Sequence, residues 1–99
     1  MSLTLWGETI IPTFKTAKYV VGQTAVIICD QNGEDYGRIT CAIPGADINE
    51  NEIIVKTWSE NTWVPQLLVE RPDLFQDTGK RIPPGYVEAQ VWTFDKTKI

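Results

Sequence analysis

The stretch KTWSENTWVPQLLV, residues 56–69, decides the fold that this sequence predicts. A short β-prone run ends at Lys56, and a helical pattern begins near Asn61. Trp63 and Leu67 are four residues apart, which places them on one face of a helix. The sequence therefore predicts a strand followed directly by a short apolar helix.

The polar residues at this junction have a structural and a catalytic interpretation. Asn61 or Ser59 is the predicted helix N-cap, and Glu60 fits the positive end of a helix dipole. Pro65 is tolerated in the first turn, and the helix should end before Pro72. A general base at Glu60 would need a shifted pKa and a substrate within reach, and neither follows from the sequence. Capping is the preferred interpretation.

The dipeptide Asn32-Gly33 predicts a two-residue turn between strands Thr24–Asp30 and Tyr36–Ile43. In that register Cys29 faces Tyr36, and the second cysteine, Cys41, lies roughly 17 Å from Cys29 on the opposite face. Two reduced thiols are therefore expected. The predicted core-facing residues of this hairpin are Val26, Ile28, Ile39, Cys41 and Ile43.

The remaining segments complete the predicted fold class. Leu3–Trp6 and Thr9–Phe14 are expected to form an edge ribbon, Asp73–Gly85 a turn-rich connection, and Tyr86–Phe94 a final strand. The prediction is an α+β fold, with a mostly antiparallel sheet of four to six strands and one short helix packed on one face. Residues 1–99 are expected to form a single domain.

Negative charge is concentrated in the middle of the chain. Residues 30–60 contain seven acids and two bases, whereas the other residues contain six acids and seven bases. Such a domain repels phosphate backbones, so direct nucleic-acid binding is not expected. No apolar run approaches the length of a membrane span, and the first residues do not resemble a signal peptide. A cytoplasmic protein without membrane contact is predicted.

Two motifs resemble known ligand sites but lack essential residues. The loop Asp47–Glu52 alternates oxygen ligands like a calcium loop, but Glu52 replaces the required glycine and Trp58 replaces the final glutamate. Thr78–Arg81 resembles the end of a phosphate-binding loop without its earlier glycine. The chain has no histidine, which excludes the common catalytic triads. No cofactor, metal or enzymatic activity is predicted.

The aromatic residues offer a candidate contact surface. The chain has four tryptophans, and a small core cannot easily cover all of them. Tyr86, Trp92 and Phe94 share one face of the last predicted strand with Glu88 and Gln90. This mixture of aromatic and polar groups is typical of a partner-binding surface. The alternative is that the helix covers this face.

Several segments together resemble a known family. They are Gly33–Tyr36, Arg38–Thr40, VKTWSEN at residues 55–61, Thr78-Gly79 and the closing aromatic strand. Over roughly residues 19–95 the chain resembles a small uncharacterised family of proteins from bacterial plasmids, conjugative transposons and phages. It departs from the family at residues 42–44, where Ala-Ile-Pro replaces Asn-Leu-Pro. The resemblance implies an accessory protein of a mobile element, without catalytic residues to carry over.

The leading functional hypothesis is a non-enzymatic acidic binding protein of a phage or mobile element. It would inhibit a host defence nuclease, of the anti-CRISPR or antirestriction type, by docking in a basic nucleic-acid channel where carboxylates replace phosphates. The predicted contact residues are Asp30, Glu34, Asp35, Asp47, Glu50, Glu52, Tyr86, Trp92 and Phe94.

Two other functions are kept as alternatives. The first is a structural or assembly subunit, for example a homodimer, that associates through the edge strand Thr9–Phe14 and the face at Trp92. The second is a small metal-dependent or small-molecule enzyme built around Glu60 and the tryptophans. Light scattering and a Glu60→Gln variant would test them.

Overall fold

In the described part of the chain, eight β-strands and one short α-helix form an α+β fold, as predicted. The computed structural model describes residues 3–5, 8–82 and 88–98. In chain order the elements are β1 Leu3–Leu5, β2 Glu8–Ile10, β3 Thr13–Lys18, β4 Thr24–Cys29, β5 Asp35–Arg38, β6 Glu52–Val55, α1 Leu67–Glu70, β7 Phe75–Ile82 and β8 Ala89–Phe94.

The strands form three antiparallel sheets, so the predicted single sheet of four to six strands is wrong. β1 pairs with β2 as a ribbon, which agrees with the N-terminal ribbon that the sequence predicts. The two larger sheets have three strands each, in the orders β3-β4-β5 and β6-β8-β7. The division arises where the chain leaves β5 and turns toward β6.

Ile39 is the residue at which the chain passes from one sheet to the other. Its N–H donates to the Val26 carbonyl at 3.0 Å, and its carbonyl accepts from the Lys56 N–H at 2.8 Å. At the next position the Thr40 hydroxyl, rather than a backbone carbonyl, accepts the Val26 N–H at 3.1 Å. Thr40 forms its β-bridge with Val55 instead. A side-chain acceptor therefore ends the ladder of the first sheet and allows the strand to join the second.

The β4–β5 hairpin has the predicted register along β5 but not at its turn. Ile28 pairs with Gly37, as expected, whereas Cys29 pairs with Asp35 and not with Tyr36. The Asp30 N–H donates to the Glu34 carbonyl, so the loop has three residues between paired positions and not two. The third, Gly33, has a φ of +83°, the left-handed conformation that such loops require. The extra residue shifts the pairing by one.

The predicted helix is shorter and begins less regularly than expected. Two 3-10 turns precede the α-helix, at Ser59–Asn61 and Val64–Gln66. The α-helix ends at Glu70, before Pro72, as predicted. No side chain caps the first turn; the Asn61 amide instead donates to the Arg38 carbonyl at 2.9 Å. The predicted capping role of Asn61 is therefore wrong, because this side chain holds β5.

The segment predicted as a turn-rich connection is largely a strand. β7 pairs with β8 on both sides of a bulge at Thr78–Lys80, where Gly79 has a φ of +84°. The Thr78 hydroxyl donates to the Val91 carbonyl at 2.6 Å, which gives the bulge its own contact with β8. The turn signals of the sequence therefore mark a bulge within a strand. Residues 83–87, which include Tyr86, lie outside the described residues.

The core lies between the two larger sheets and the helical segment. Phe75 is at its centre, with ring centroids of Phe14, Trp92 and Phe94 at 5.4, 5.7 and 5.4 Å. The exposed fractions of Trp92 and Phe94 are 0% and 4%. Their predicted exposure is wrong, because both side chains lie in the core cluster, which also contains Val64 and Leu67 of the helical segment. The cluster comprises Ile10, Phe14, Val26, Ile28, Ile39, Ile53, Val55, Val64, Leu67, Leu74, Phe75, Trp92 and Phe94.

Candidate docking surface and clefts

The six predicted acidic contact residues lie in two groups at opposite ends of β4. Asp30, Glu34 and Asp35 follow its C-terminal end in the β4–β5 hairpin loop and the start of β5. Glu50 and Glu52 line a cleft with residues 18 and 21–24, at its N-terminal end. Six residues of strand separate these ends, or about 20 Å. The acids therefore do not form a single patch.

Two of the three acids in the first group have structural partners. Asp30 is buried, and its Oδ1 accepts the backbone N–H groups of Asn32 at 2.8 Å and Glu34 at 2.9 Å. Asp35 lies 2.6 Å from the Lys15 ammonium, and this hydrogen-bonded pair lowers the pKa of the Asp35 carboxyl. Within the described residues, only the Glu34 side chain of this group is exposed without an ion pair.

Glu52 in the second group is also structural. Its carboxylate is buried, accepts the Asn49 N–H at 2.7 Å and pairs with the Lys80 ammonium at 2.8 Å. The Asn49 hydrogen bond first, and Lys80 second, hold the pKa of Glu52 below its ordinary value. Asp47 and Glu50, in contrast, are exposed and make no ion pair with any described residue. These two carboxylates remain available to a partner.

The loop that carries Asp47 and Glu50 is attached to the β3–β4 hairpin by one side chain. The Gln23 amide donates to the Ile43 carbonyl at 2.7 Å and accepts the Ile43 N–H at 3.0 Å. Gly22 has a φ of +89°, and its N–H donates to the Tyr19 carbonyl at 2.8 Å, which closes the hairpin turn. The turn and the acidic loop are therefore held together by specific hydrogen bonds.

Two valines are exposed at this same hairpin turn. The exposed fractions of Val20 and Val21 are 107% and 46%, and Val21 lines the cleft of about 270 Å³ that Glu50 also lines. They are not among the predicted contact residues, although a Val-Val pair directly before Gly-Gln is a visible signal of an apolar turn. We call Val20, Val21, Asp47 and Glu50 the tip-and-loop surface.

A second cleft, of about 520 Å³, lies where the two larger sheets meet. Its walls include Tyr19, Tyr36, Arg38, Cys41 and Lys56. The Arg38 guanidinium carbon lies 5.5 Å from the centre of the Tyr19 ring, within the range of a cation–π contact. The lining residues that the structure describes carry two cationic groups and no carboxylate. This local charge is opposite to the net charge of the chain.

Other predicted sites give little further information. Among the described residues, no three or more Cys, Asp or Glu side chains are placed to hold a metal ion. The side chain of Glu60 lies outside the described part of the structure, as do Trp6 and Tyr86. Within the described ranges, no helix combines the length and apolar character needed to cross a membrane.

No protein-family model matches the chain, and no curated protein or solved structure is significantly similar to it. The resemblance to mobile-element proteins is therefore still a hypothesis. The features of the chain that bear on function are the tip-and-loop surface and the cationic cleft.

Proposed function

We propose that this protein is a non-enzymatic binding protein of a phage or other mobile element, which docks on a basic surface of a host protein. The observation that carries the proposal is the exposure of Asp47 and Glu50, without ion pairs among the described residues, on a loop attached to the β3–β4 turn. Several other carboxylates of the chain form ion pairs or accept hydrogen bonds from backbone N–H groups.

The tip-and-loop surface has the properties that a docking surface needs. Its carboxylates steer a basic partner during encounter and fix its orientation, which acts on association rate and specificity. Val20 and Val21 are exposed apolar side chains, and Val21 lines the same cleft as Glu50, so their burial by a partner would add affinity. Because Gln23 ties the loop to the turn, little conformational entropy is lost on binding.

The more specific form of the proposal is that the partner is a host defence nuclease with a basic nucleic-acid channel. Asp47 and Glu50 occupy positions that phosphates would take, and the Val20-Val21 turn contacts the channel wall. Glu34, about 20 Å away beyond the far end of β4, is a second point of contact. Asp30, Asp35, Glu52, Trp92 and Phe94 are not part of this surface, because each has an internal role.

A nuclease-protection assay tests this function. Purified protein is added to a panel of CRISPR and restriction nucleases, and DNA cleavage is measured at increasing salt. Inhibition by the wild type, reduced about tenfold or more in Asp47→Asn/Glu50→Gln, would support the proposal. The matched control, Glu70→Gln/Glu88→Gln, removes the same charge from other exposed positions and should still inhibit. Equal inhibition by both double variants would contradict the assigned surface.

Self-association has less support from the structure. β3 is an edge strand, and the neighbouring Ile11 is exposed, which would favour pairing between chains. However, Pro12 precedes this strand and Lys15 and Lys18 project from it, and such residues discourage edge-to-edge pairing. The other surface suggested for assembly, at Trp92, is buried. Light scattering that shows a concentration-dependent dimer would restore this alternative.

A further inference from the structure

Arg38 differs from the other two arginines of the chain. Arg71 and Arg81 each bind an aspartate through two N–H groups, at 3.0 and 3.0 Å and at 2.9 and 2.8 Å. Arg38 makes no ion pair within the described residues and lies instead over the Tyr19 ring. An arginine without a carboxylate partner is unexpected in a chain of net charge −4. Its planar group is free to bind an oxyanion with two hydrogen bonds.

The surroundings of Arg38 are fixed before any ligand binds. The Tyr19 hydroxyl is hydrogen-bonded to Thr40, with distances of 3.1 Å to the carbonyl and 3.0 Å to Oγ1. The Arg38 carbonyl accepts from the buried Asn61 amide at 2.9 Å, which holds the backbone below the guanidinium. The Tyr19 ring and the strand that carries Arg38 are therefore both preorganised.

The cleft around Arg38 is larger than a simple anion requires. Its volume of about 520 Å³ would accommodate an oxyanion together with an organic group of several rings. Tyr19 and Tyr36 supply aromatic surface, Lys56 supplies a second positive charge, and none of the described lining residues is acidic. Cationic groups beside tyrosine rings favour a ligand with an oxyanion at one end and a flat ring at the other.

We propose that this cleft binds a nucleoside monophosphate. The phosphate accepts hydrogen bonds from the Arg38 guanidinium, and the base packs against the tyrosine surface. This site is composed of residues other than the tip-and-loop surface and does not depend on the docking function. Long nucleic acids are not expected to bind, because the negative chain repels their many phosphates. A mononucleotide has one phosphate group and is repelled much less.

In the experiment the full chain is titrated with AMP, GMP, CMP and UMP. Calorimetry measures the binding, and amide chemical shifts show which residues take part. Inorganic phosphate and the uncharged nucleosides are titrated in parallel. The expected result is saturable binding of at least one nucleotide, with shift changes at Tyr19, Tyr36, Arg38 and Lys56. Phosphate and nucleoside alone should each bind about tenfold more weakly or worse, because each makes only part of the contacts.

Two variants make the test specific. Arg38→Gln should weaken nucleotide binding about tenfold, because charged hydrogen bonds to the phosphate are lost. Lys96→Gln removes the same charge from an exposed residue of the C-terminal 3-10 turn and should leave the affinity unchanged. Thermal unfolding checks that both variants fold.

Three results would overturn the proposal. The first is the absence of saturable binding up to about 5 mM nucleotide, because a dissociation constant above that concentration is too weak to be useful. The second is an equal loss of affinity in Arg38→Gln and Lys96→Gln. The third is phosphate binding as tightly as the nucleotides, which would show that the cleft does not bind a ring.

Discussion

The ammonium of Lys80 lies 2.8 Å from Oε1 of Glu52 and joins two strands that do not pair with each other. Glu52 begins β6, Lys80 lies in the β7 bulge, and β8 runs between these strands. The same Oε1 accepts the Asn49 N–H from the acidic loop. One buried carboxylate therefore connects the loop of the docking surface to both outer strands of the sheet.

Replacement of Glu52 with glutamine should lower the free energy of unfolding by about 2 kcal/mol near neutral pH, because a charged hydrogen bond and an ion pair are lost. The pKa of Glu52 in the folded protein is below its ordinary value of 4.5. Its contribution to the free energy of unfolding is therefore fully present when the pH is above the ordinary pKa. The contribution disappears as the pH falls through the folded pKa. Urea unfolding at several pH values should show the two proteins converging in acid.

The control for this experiment is Glu70→Gln, at an exposed residue of α1. It should change the stability by less than about 0.5 kcal/mol at any of these pH values. If the wild type remained more stable than Glu52→Gln by the same free energy in acid, the assigned role of the carboxylate would be contradicted.

Phe75→Leu should reduce the free energy of unfolding by about 2 kcal/mol, because it leaves a cavity and removes three ring contacts. Val69→Ala, at an exposed position of the neighbouring helix, should have little effect. Denaturant unfolding measures both values. Equal stability of the two variants would mean that Phe75 is not the centre of the core.

Gln23→Ala should release the acidic loop from the β3–β4 turn. The Ile43 N–H donates to the Gln23 side chain, so its hydrogen exchange should become about fivefold faster or more in the variant, as expected for the loss of about 1 kcal/mol. Amides in the centre of β8 should exchange as before. Gln66→Ala, at an exposed position, serves as the control. An unchanged exchange rate at Ile43 would show that the loop is held by other contacts.

Both cysteines are free thiols and should react slowly with iodoacetamide in the folded protein. Burial raises the pKa of the Cys41 thiol, an effect that the nearby Lys56 opposes only in part. Burial likewise raises the pKa of Cys29, and the hydrogen bond to Asp35 adds to this effect. Fewer thiolates are therefore present at neutral pH. Mass spectrometry should show labelling that increases with pH and with urea.

A Cys41→Ser variant separates the two thiols in this experiment. Its remaining Cys29, which is fully buried, should be labelled only when the protein unfolds. Labelling of the native variant at the rate of the unfolded chain would disprove the burial of Cys29.

Local patterns predicted the elements of the fold better than their connections. The Asn-Gly dipeptide correctly located the hairpin, but the backbone bond from Asp30 to Glu34 made its loop one residue longer. Thr78-Gly79 is a strong turn signal in isolation, yet here it forms a bulge whose flanking residues pair with β8. Whether such a signal ends a strand depends on the neighbouring strand, which is distant in sequence.

The candidate site likewise depends on residues that are distant in sequence. The sequence contains the charge of the acidic residues but does not show which of them have partners. Asp35 pairs with Lys15 twenty residues away, and Glu52 pairs with Lys80 across a sheet. The burial of Trp92 likewise depends on packing between two sheets. Glu34, Asp47 and Glu50 have no cationic partner among the described residues and keep the accessibility that their positions suggested.

The hydrogen bonds that Ile39 makes to both Val26 and Lys56 have a consequence for how the molecule unfolds. Because Ile39 bonds to both sheets and both sheets bury side chains in the core around Phe75, separation of β5 from β4 should also weaken the sheet that contains β6. The protein should therefore lose all its secondary structure in one cooperative transition, with the same midpoint for every spectroscopic probe. The shared strand and the shared core would then make the two sheets behave as one thermodynamic unit.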